Sequence, residues 1–215
     1  MSLPLLLIGN KNYSSWSLRP WLLLRHFDIQ FEERRVPLDT PEFQAEIGRW
    51  TGARRVPVLR DGAETIWDSL AIVETVNERW LDGVGWPTAP AARAHARSIV
   101  CEMHSGFSAM RKEMPMNVRR VPRAVSLSAA AQSDCARVQA IWAECLQASG
   151  GPWLFGAFSI ADAFYAPVAW RFRGYASDIT ADSAPLQSAL LAHPGMGEWS
   201  DAAHSEREHL SQDER

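Results

Sequence analysis

Apolar positions change their spacing along the chain, and the change predicts two structural regimes. Leu5-Leu6-Leu7-Ile8 is a continuous apolar run stopped by Gly9-Asn10, the pattern of a short buried strand. After a polar turn, Trp21, Leu22 and Leu24 carry a helix toward His26, with Ser17 as its expected N-cap and Pro20 tolerated in the first turn. Residues 31–36 read as a second strand, and residues 41–50, opened by Thr40, as a second helix. Val56-Pro57-Val58-Leu59-Arg60 and Thr65-Ile66-Trp67 flank Asp61-Gly62, so they read as a hairpin. Asp68 or Ser69 then caps a helix that runs through Trp80.

Between residues 81 and 90 the composition turns to Asp82-Gly83-Val84-Gly85-Trp86-Pro87, an exposed linker by its turn residues. Beyond it the spacing is helical. Residues 91–112 are rich in Ala and Arg, and residues 129–149 place Val138, Ile141, Trp142 and Cys145 on one face. Ser159-Ile160-Ala161-Asp162 opens an apolar segment through Trp170 with the spacing of a capping box. From residue 177 the chain becomes polar, and residues 205–215 read as a disordered tail or a terminal helix. The predicted fold is therefore an α/β thioredoxin-like domain of order βαβαββα over residues 1–81, followed by an all-α helical domain over residues 90–215.

Composition narrows this without redirecting it. The hydrophobic share of 47% leaves ample material for a core, and a net charge of -3 offers no broad basic field for nucleic acid. Arg111, Arg119, Arg120 and Arg123 read most simply as a solvated face, with a preference for an anionic co-substrate as the alternative. Cys101, Cys135 and Cys145 are odd in number and lack a Cys-x-x-Cys pair, which fits reduced thiols in a cytoplasmic protein with no metal site. The apolar run near the start is too short to span a bilayer, so no membrane partner is expected.

The chemistry sits in three places. The turn before the first helix carries Ser14, Ser15 and Ser17, hydroxyl donors beside a helix start, and such donors stabilise a thiolate. Val56-Pro57 before a hairpin strand is a candidate cis peptide that presents the Val56 backbone to an extended peptide ligand. Asp68-Ser69 at a helix start suits an ammonium for Asp68 and a carboxylate for Ser69. A plain N-cap or an ordinary trans proline explains each of these alone; their order along the chain is what adds meaning.

In that order the motifs resemble those of bacterial glutathione transferases. Ser14-Ser15-Trp16-Ser17-Leu18-Arg19 is similar to the Ser-Ser-Cys-Ser-Trp-Arg turn of the zeta class, Val56-Pro57 to the family's cis-proline motif, Asp68-Ser69 to its γ-glutamyl site and Ser159–Asp162 to its helical capping box. The resemblance implies glutathione as co-substrate, with Ser14 as the thiol activator and Ser15 as the alternative; Tyr13 is a lesser competitor. Arg55 matches a basic position next to the cis-proline motif and either meets a ligand carboxylate or is a solvated arginine. Trp16 in place of cysteine, Pro20 in place of an aliphatic residue, and the lack of the usual Pro and Gly arrangement before Arg55 depart from the zeta pattern.

The same resemblance implies a second-substrate pocket between the domains, lined here by His104, Phe107, Met110, Arg111, Met114 and Met116; helical spacing alone would equally make these residues core. The expected function is a glutathione transferase that delivers the thiolate to a small electrophile. The alternatives are a glutathione-dependent isomerase of the maleylacetoacetate type and a non-catalytic binding module. Family members are commonly homodimers, and Trp50 or Trp67 could serve that contact.

Overall fold

A computed structural model describes residues 3–214. Met1, Ser2 and Arg215, which the expected domain limits and polar tail include, lie outside the described residues. The N-terminal region is a mixed α/β domain and the rest is all-α. Strands β1 (Leu5–Ile8), β2 (Glu32–Arg35), β3 (Val58–Asp61) and β4 (Glu64–Trp67) alternate with helices α1 (Ser15–His26), α2 (Pro41–Ile47) and α3 (Ser69–Trp80) in the order βαβαββα. The sheet order is β2-β1-β3-β4, with β1 parallel to β2 and antiparallel to β3. β1 is central because it is the most apolar; β2 is charged throughout, which suits an edge. On one face α2 covers a small cluster of Leu7, Val36, Phe43, Ile47 and Val58. The other face carries α1 and α3 into a larger core shared with the helical domain.

That domain contains α4 (Pro90–Ser105), α5 (Ser108–Glu113), α6 (Ala129–Ser149), α7 (Ile160–Gly174), α8 (Ala184–Ala192) and α9 (Pro194–Ser205). α7 is buried along nearly all of its length and packs against α1, which explains its unbroken apolar sequence. Its capping box is formed: the Asp162 carboxylate accepts from the Ser159 N–H at 2.8 Å and from the Leu154 N–H at 2.9 Å.

Four local expectations change. α1 starts at Ser15 with Ser14 as N-cap, because Ser17 and Leu18 already donate to the Ser14 carbonyl; the Ser17 hydroxyl turns inward to accept from the Gly9 N–H. α2 stops at Ile47, and the Trp50 indole folds back to the Glu46 carboxylate at 2.8 Å. The helix expected over residues 91–112 breaks at Gly106-Phe107, where a side chain on Gly106 would meet the Glu102 carbonyl at 2.7 Å and Phe107 takes a left-handed φ of 55°. The polar C-terminal segment is ordered: α8 and α9 bury Leu186, Leu190, Met196, Trp199 and Ala203, and the following residues fold back over the α1 turn.

Candidate functional site

Loop, strand and helix ends converge on a cleft of about 500 Å³ between the two domains. Arg55, Val56, Pro57, Asp68, Ser69, His104 and Arg111 line it, joined by Trp16, Ala53 and Trp67. The Val56-Pro57 peptide is cis. The Val56 N–H and C=O make no hydrogen bond to another described residue, so this piece of backbone is open to an extended ligand. A larger groove of about 830 Å³, lined by residues of α6 and Gly150-Gly151-Pro152, lies away from all of these groups and gathers no comparable set of side chains.

Asp68 and Ser69 sit where the hairpin feeds α3. Asp68 is the N-cap, with φ at 77° and its carboxylate accepting from the Leu70 N–H at 2.8 Å. Its second oxygen lies 3.3 Å from His104 Nε2. Ser69 is only 1% exposed, yet its hydroxyl has no partner. A buried hydroxyl left unsatisfied costs about 1–3 kcal/mol, and a ligand oxygen at this position would remove that cost.

Ser14 and Ser15 stand at the N-terminus of α1 beside Trp16, 6% and 7% exposed, behind the cleft rather than on its wall. The Ser14 hydroxyl donates to Ser17 Oγ at 2.7 Å, while Ser15 Oγ accepts from the Arg171 guanidinium at 3.3 Å. Tyr13 turns the other way: its hydroxyl meets Arg119, the Leu210 N–H and the Glu214 carboxylate, all on the far side of the turn. Burial and the Glu214 carboxylate push the Tyr13 phenol above its ordinary value, the wrong direction for a group meant to share its proton.

The expected second-substrate residues divide. His104 and Arg111 are on the cleft. Phe107, Met110, Met114 and Met116 are not; all four are buried in the shared core, where Met114 Sδ lies 3.7 Å from Cys135 Sγ of α6. The break at Gly106-Phe107 turns α5 onto α6, and these side chains are buried off the cleft wall. Arg119 and Arg120 are not part of a solvated face, since Arg119 donates to the Glu206 and Glu208 carbonyls at 2.5 and 2.7 Å and Arg120 to the Gly174 carbonyl at 2.9 Å, whereas Arg123 is exposed.

Sequence reasoning missed Arg19 and Arg171. Arg19 is 1% exposed, packs 3.9 Å from the Trp16 ring centre, donates through Nε to the Phe164 carbonyl, and leaves Nη1 without a partner. Arg171 is also buried, on the α7 face turned toward α1. The signal for Arg171 was a charged residue directly following an apolar helical run, in a place where the helix spacing requires burial.

Two stretches match known families: residues 13–79 match the Glutathione S-transferase, N-terminal domain, and residues 123–202 the Glutathione S-transferase, C-terminal domain. Among curated proteins, the chain is 33% identical over 93 residues to a protein named probable maleylacetoacetate isomerase from Caenorhabditis elegans, a match covering 43% of this chain and 42% of that one. It is 40% identical over 60 residues to dichloromethane dehalogenase of Methylorubrum extorquens, covering 27% and 20%. The chain thus matches less than half the length of either curated relative. Its fold is shared with a glutathione transferase homolog from Burkholderia solved with bound glutathione, at TM-score 0.71, 21% identity and coverage of 95% and 100%. It is shared equally with a diazinon-metabolizing glutathione S-transferase of the silkworm Bombyx mori, at TM-score 0.73, 16% identity and coverage of 94% and 96%. With both family domains matched in sequence order on a shared two-domain fold, the chain belongs to the glutathione transferase superfamily.

Proposed function

We propose that the chain binds glutathione in the interdomain cleft and ionises its thiol for attack on a small electrophilic molecule. The observation that carries this reading is the buried, unpartnered Ser69 hydroxyl, set beside the Asp68 carboxylate and the open Val56 backbone in one cleft. Ser69 receives the γ-glutamyl carboxylate, Asp68 the ammonium, Val56 the peptide backbone, and Arg55 a remaining carboxylate. The sulfur then lies toward the α1 N-terminus, where backbone dipoles and one serine hydroxyl, that of Ser14 or alternatively of Ser15, favour a thiolate over a thiol. Lowering the thiol from about 8.5 by one unit requires about 1.4 kcal/mol of preferential stabilisation.

A glutathione-dependent isomerase with a zeta-type turn is the second reading. Arg55 and Arg111 on the cleft would hold an acidic substrate, and one curated relative carries the isomerase name. On either reading we assign residues 1–81 to the glutathione-binding domain and residues 90–215 to the helical domain. The family resemblance, to the bacterial glutathione transferases, also supports a cytoplasmic location and a homodimer; the three free thiols fit the first, and Trp67, 51% exposed at the cleft edge, fits the second.

Calorimetric titration with glutathione tests the core of this proposal. The native chain should bind, and Asp68→Asn should bind about tenfold more weakly, since a lost charge-assisted hydrogen bond is worth about 1.5 kcal/mol. Asparagine tolerates the positive φ and keeps the cap to Leu70, so folding stability should stay within about 0.5 kcal/mol. Absence of binding by the native chain would sink the proposal.

A further inference from the structure

We propose that Arg171 is a positioning residue for thiol activation, holding the Ser15 hydroxyl as the group that donates to the sulfur of bound glutathione. This rests on the glutathione-binding reading above and names the donor within it. α7 brings Arg171 from the helical domain to the start of α1, where one guanidinium nitrogen donates to Ser15 Oγ at 3.3 Å. The other nitrogen donates to the carbonyls of Arg111, at 3.3 Å, and Met114. The guanidinium is therefore fixed from two sides by partners that cannot rotate away.

This geometry separates the two serines. Ser14 spends its proton on Ser17, whose oxygen is in turn held by the Gly9 N–H. Ser15 accepts from a cation and donates to no other described residue, so its proton is free. A hydroxyl whose oxygen accepts from a guanidinium is also a stronger donor.

A second, independent feature points to an anion at the same place. Arg111 and Arg171 lie close enough to depress Arg19, and Arg111 to depress Arg171, and none of the three forms a salt bridge with a described carboxylate. Nη1 of the buried Arg19 has no hydrogen-bond partner at all. Burial and the charge of Arg111 push Arg171 down to about 10, against the pull of Asp213. The charged groups around this point are Arg19 from α1, Asp68 from the α3 N-cap, His104 from α4, Arg111 from α5 and Arg171 from α7, with Asp134 of α6 acting on Arg111 and Asp213 on Arg171 from a distance; Asp68 is the carboxylate that lines the cleft. A thiolate restores the balance. On ionisation the thiol proton leaves to solvent; Ser15 keeps its own proton and shares it with the sulfur as a hydrogen bond.

Thiolate absorbance of the glutathione complex, followed against pH, reads the effect directly. Ser15→Ala should raise the bound thiol pKa by about one unit, a tenfold fall in the thiolate-to-thiol ratio at fixed pH, with binding below that pKa retained. Arg171→Gln should raise it similarly, Arg171→Lys should recover part of the shift, and the double variant with Ser15→Ala should move no further than the larger single change. Ser14→Ala should raise it by clearly less than Ser15→Ala does. A Ser15→Ala complex that binds with the native pKa, or a Ser14→Ala complex that carries the whole shift, overturns the assignment while leaving glutathione binding intact. If Arg171→Gln does not fold, Arg171→Lys decides: a pKa between native and Ser15→Ala supports the role, and a native pKa overturns it. Failure of the native chain to bind at any pH removes the parent reading, and this inference falls with it.

Discussion

Tyr13 illustrates how one bond rotation assigns a role at the scale of a residue. It directly precedes Ser14, so in sequence it competes for the sulfur, but its ring leaves the turn on the side of Arg119 and the C-terminal segment. Tyr13→Phe should therefore leave the pKa of bound glutathione unchanged while loosening the tail it anchors. Fluorescence-monitored urea unfolding should register the loss as about 1 kcal/mol, the worth of an ordinary buried hydrogen bond. A raised thiol pKa in this variant would instead return Tyr13 to the reaction. The serines were legible as donors beside a helix start. Which of them has a free proton was not, because that depends on Ser17 and Arg171, one a turn along the helix and the other 156 residues away.

At the scale of elements, α1 and the α8–α9 corner meet through two imidazoles. His193 caps α9 by accepting from the Gly195 N–H on Nδ1 at 3.0 Å, which leaves its Nε2–H to donate to His26 Nδ1, also at 3.0 Å. A proton added to either accepting nitrogen breaks one of these bonds. Burial accordingly lowers both groups, against the pull of Asp28 on His26, and His193 falls to about 4 from an ordinary 6.5. The unfolded chain then binds more protons than the folded one between these values. The pair's stability contribution is fully present above pH 6.5 and is lost as pH falls toward about 4. Asp162 works in the opposite sense: burial raises it from 3.8 to about 6, so the folded chain gains relative stability as pH falls through that window. His193→Asn keeps a cap while deleting the titration, so urea midpoints of the native chain should fall relative to this variant between about pH 6.5 and pH 4. Parallel curves would mean that His193 takes up its proton at the same pH folded and unfolded, which contradicts the buried neutral pair.

On the scale of the whole molecule, the C-terminal segment is a strap. Glu206 accepts from the backbone N–H groups of Lys11 and Asn12 at 2.7 and 3.1 Å, Asn117 joins Asn12 to Glu214, and Arg119 clamps the segment's carbonyls. Ending the chain after Ser205 should cost about 2 kcal/mol or more, since two donors to a carboxylate are lost, and should weaken glutathione binding by loosening the turn before α1. An unchanged unfolding midpoint, measured in urea, would contradict the strap. The element order of the first domain, the hairpin, the capping box and the cleft-lining set at Val56-Pro57 and Asp68-Ser69 were readable beforehand, because turn chemistry, apolar period and capping act over a few neighbouring residues. The sequence by itself determined these local states and their succession. Tertiary structure alone decided that Met110 and Met114 pack inward, that Arg119 grips a tail, and that Arg171 reaches Ser15, because each depends on which distant surface a side chain meets once the two domains close on a common core.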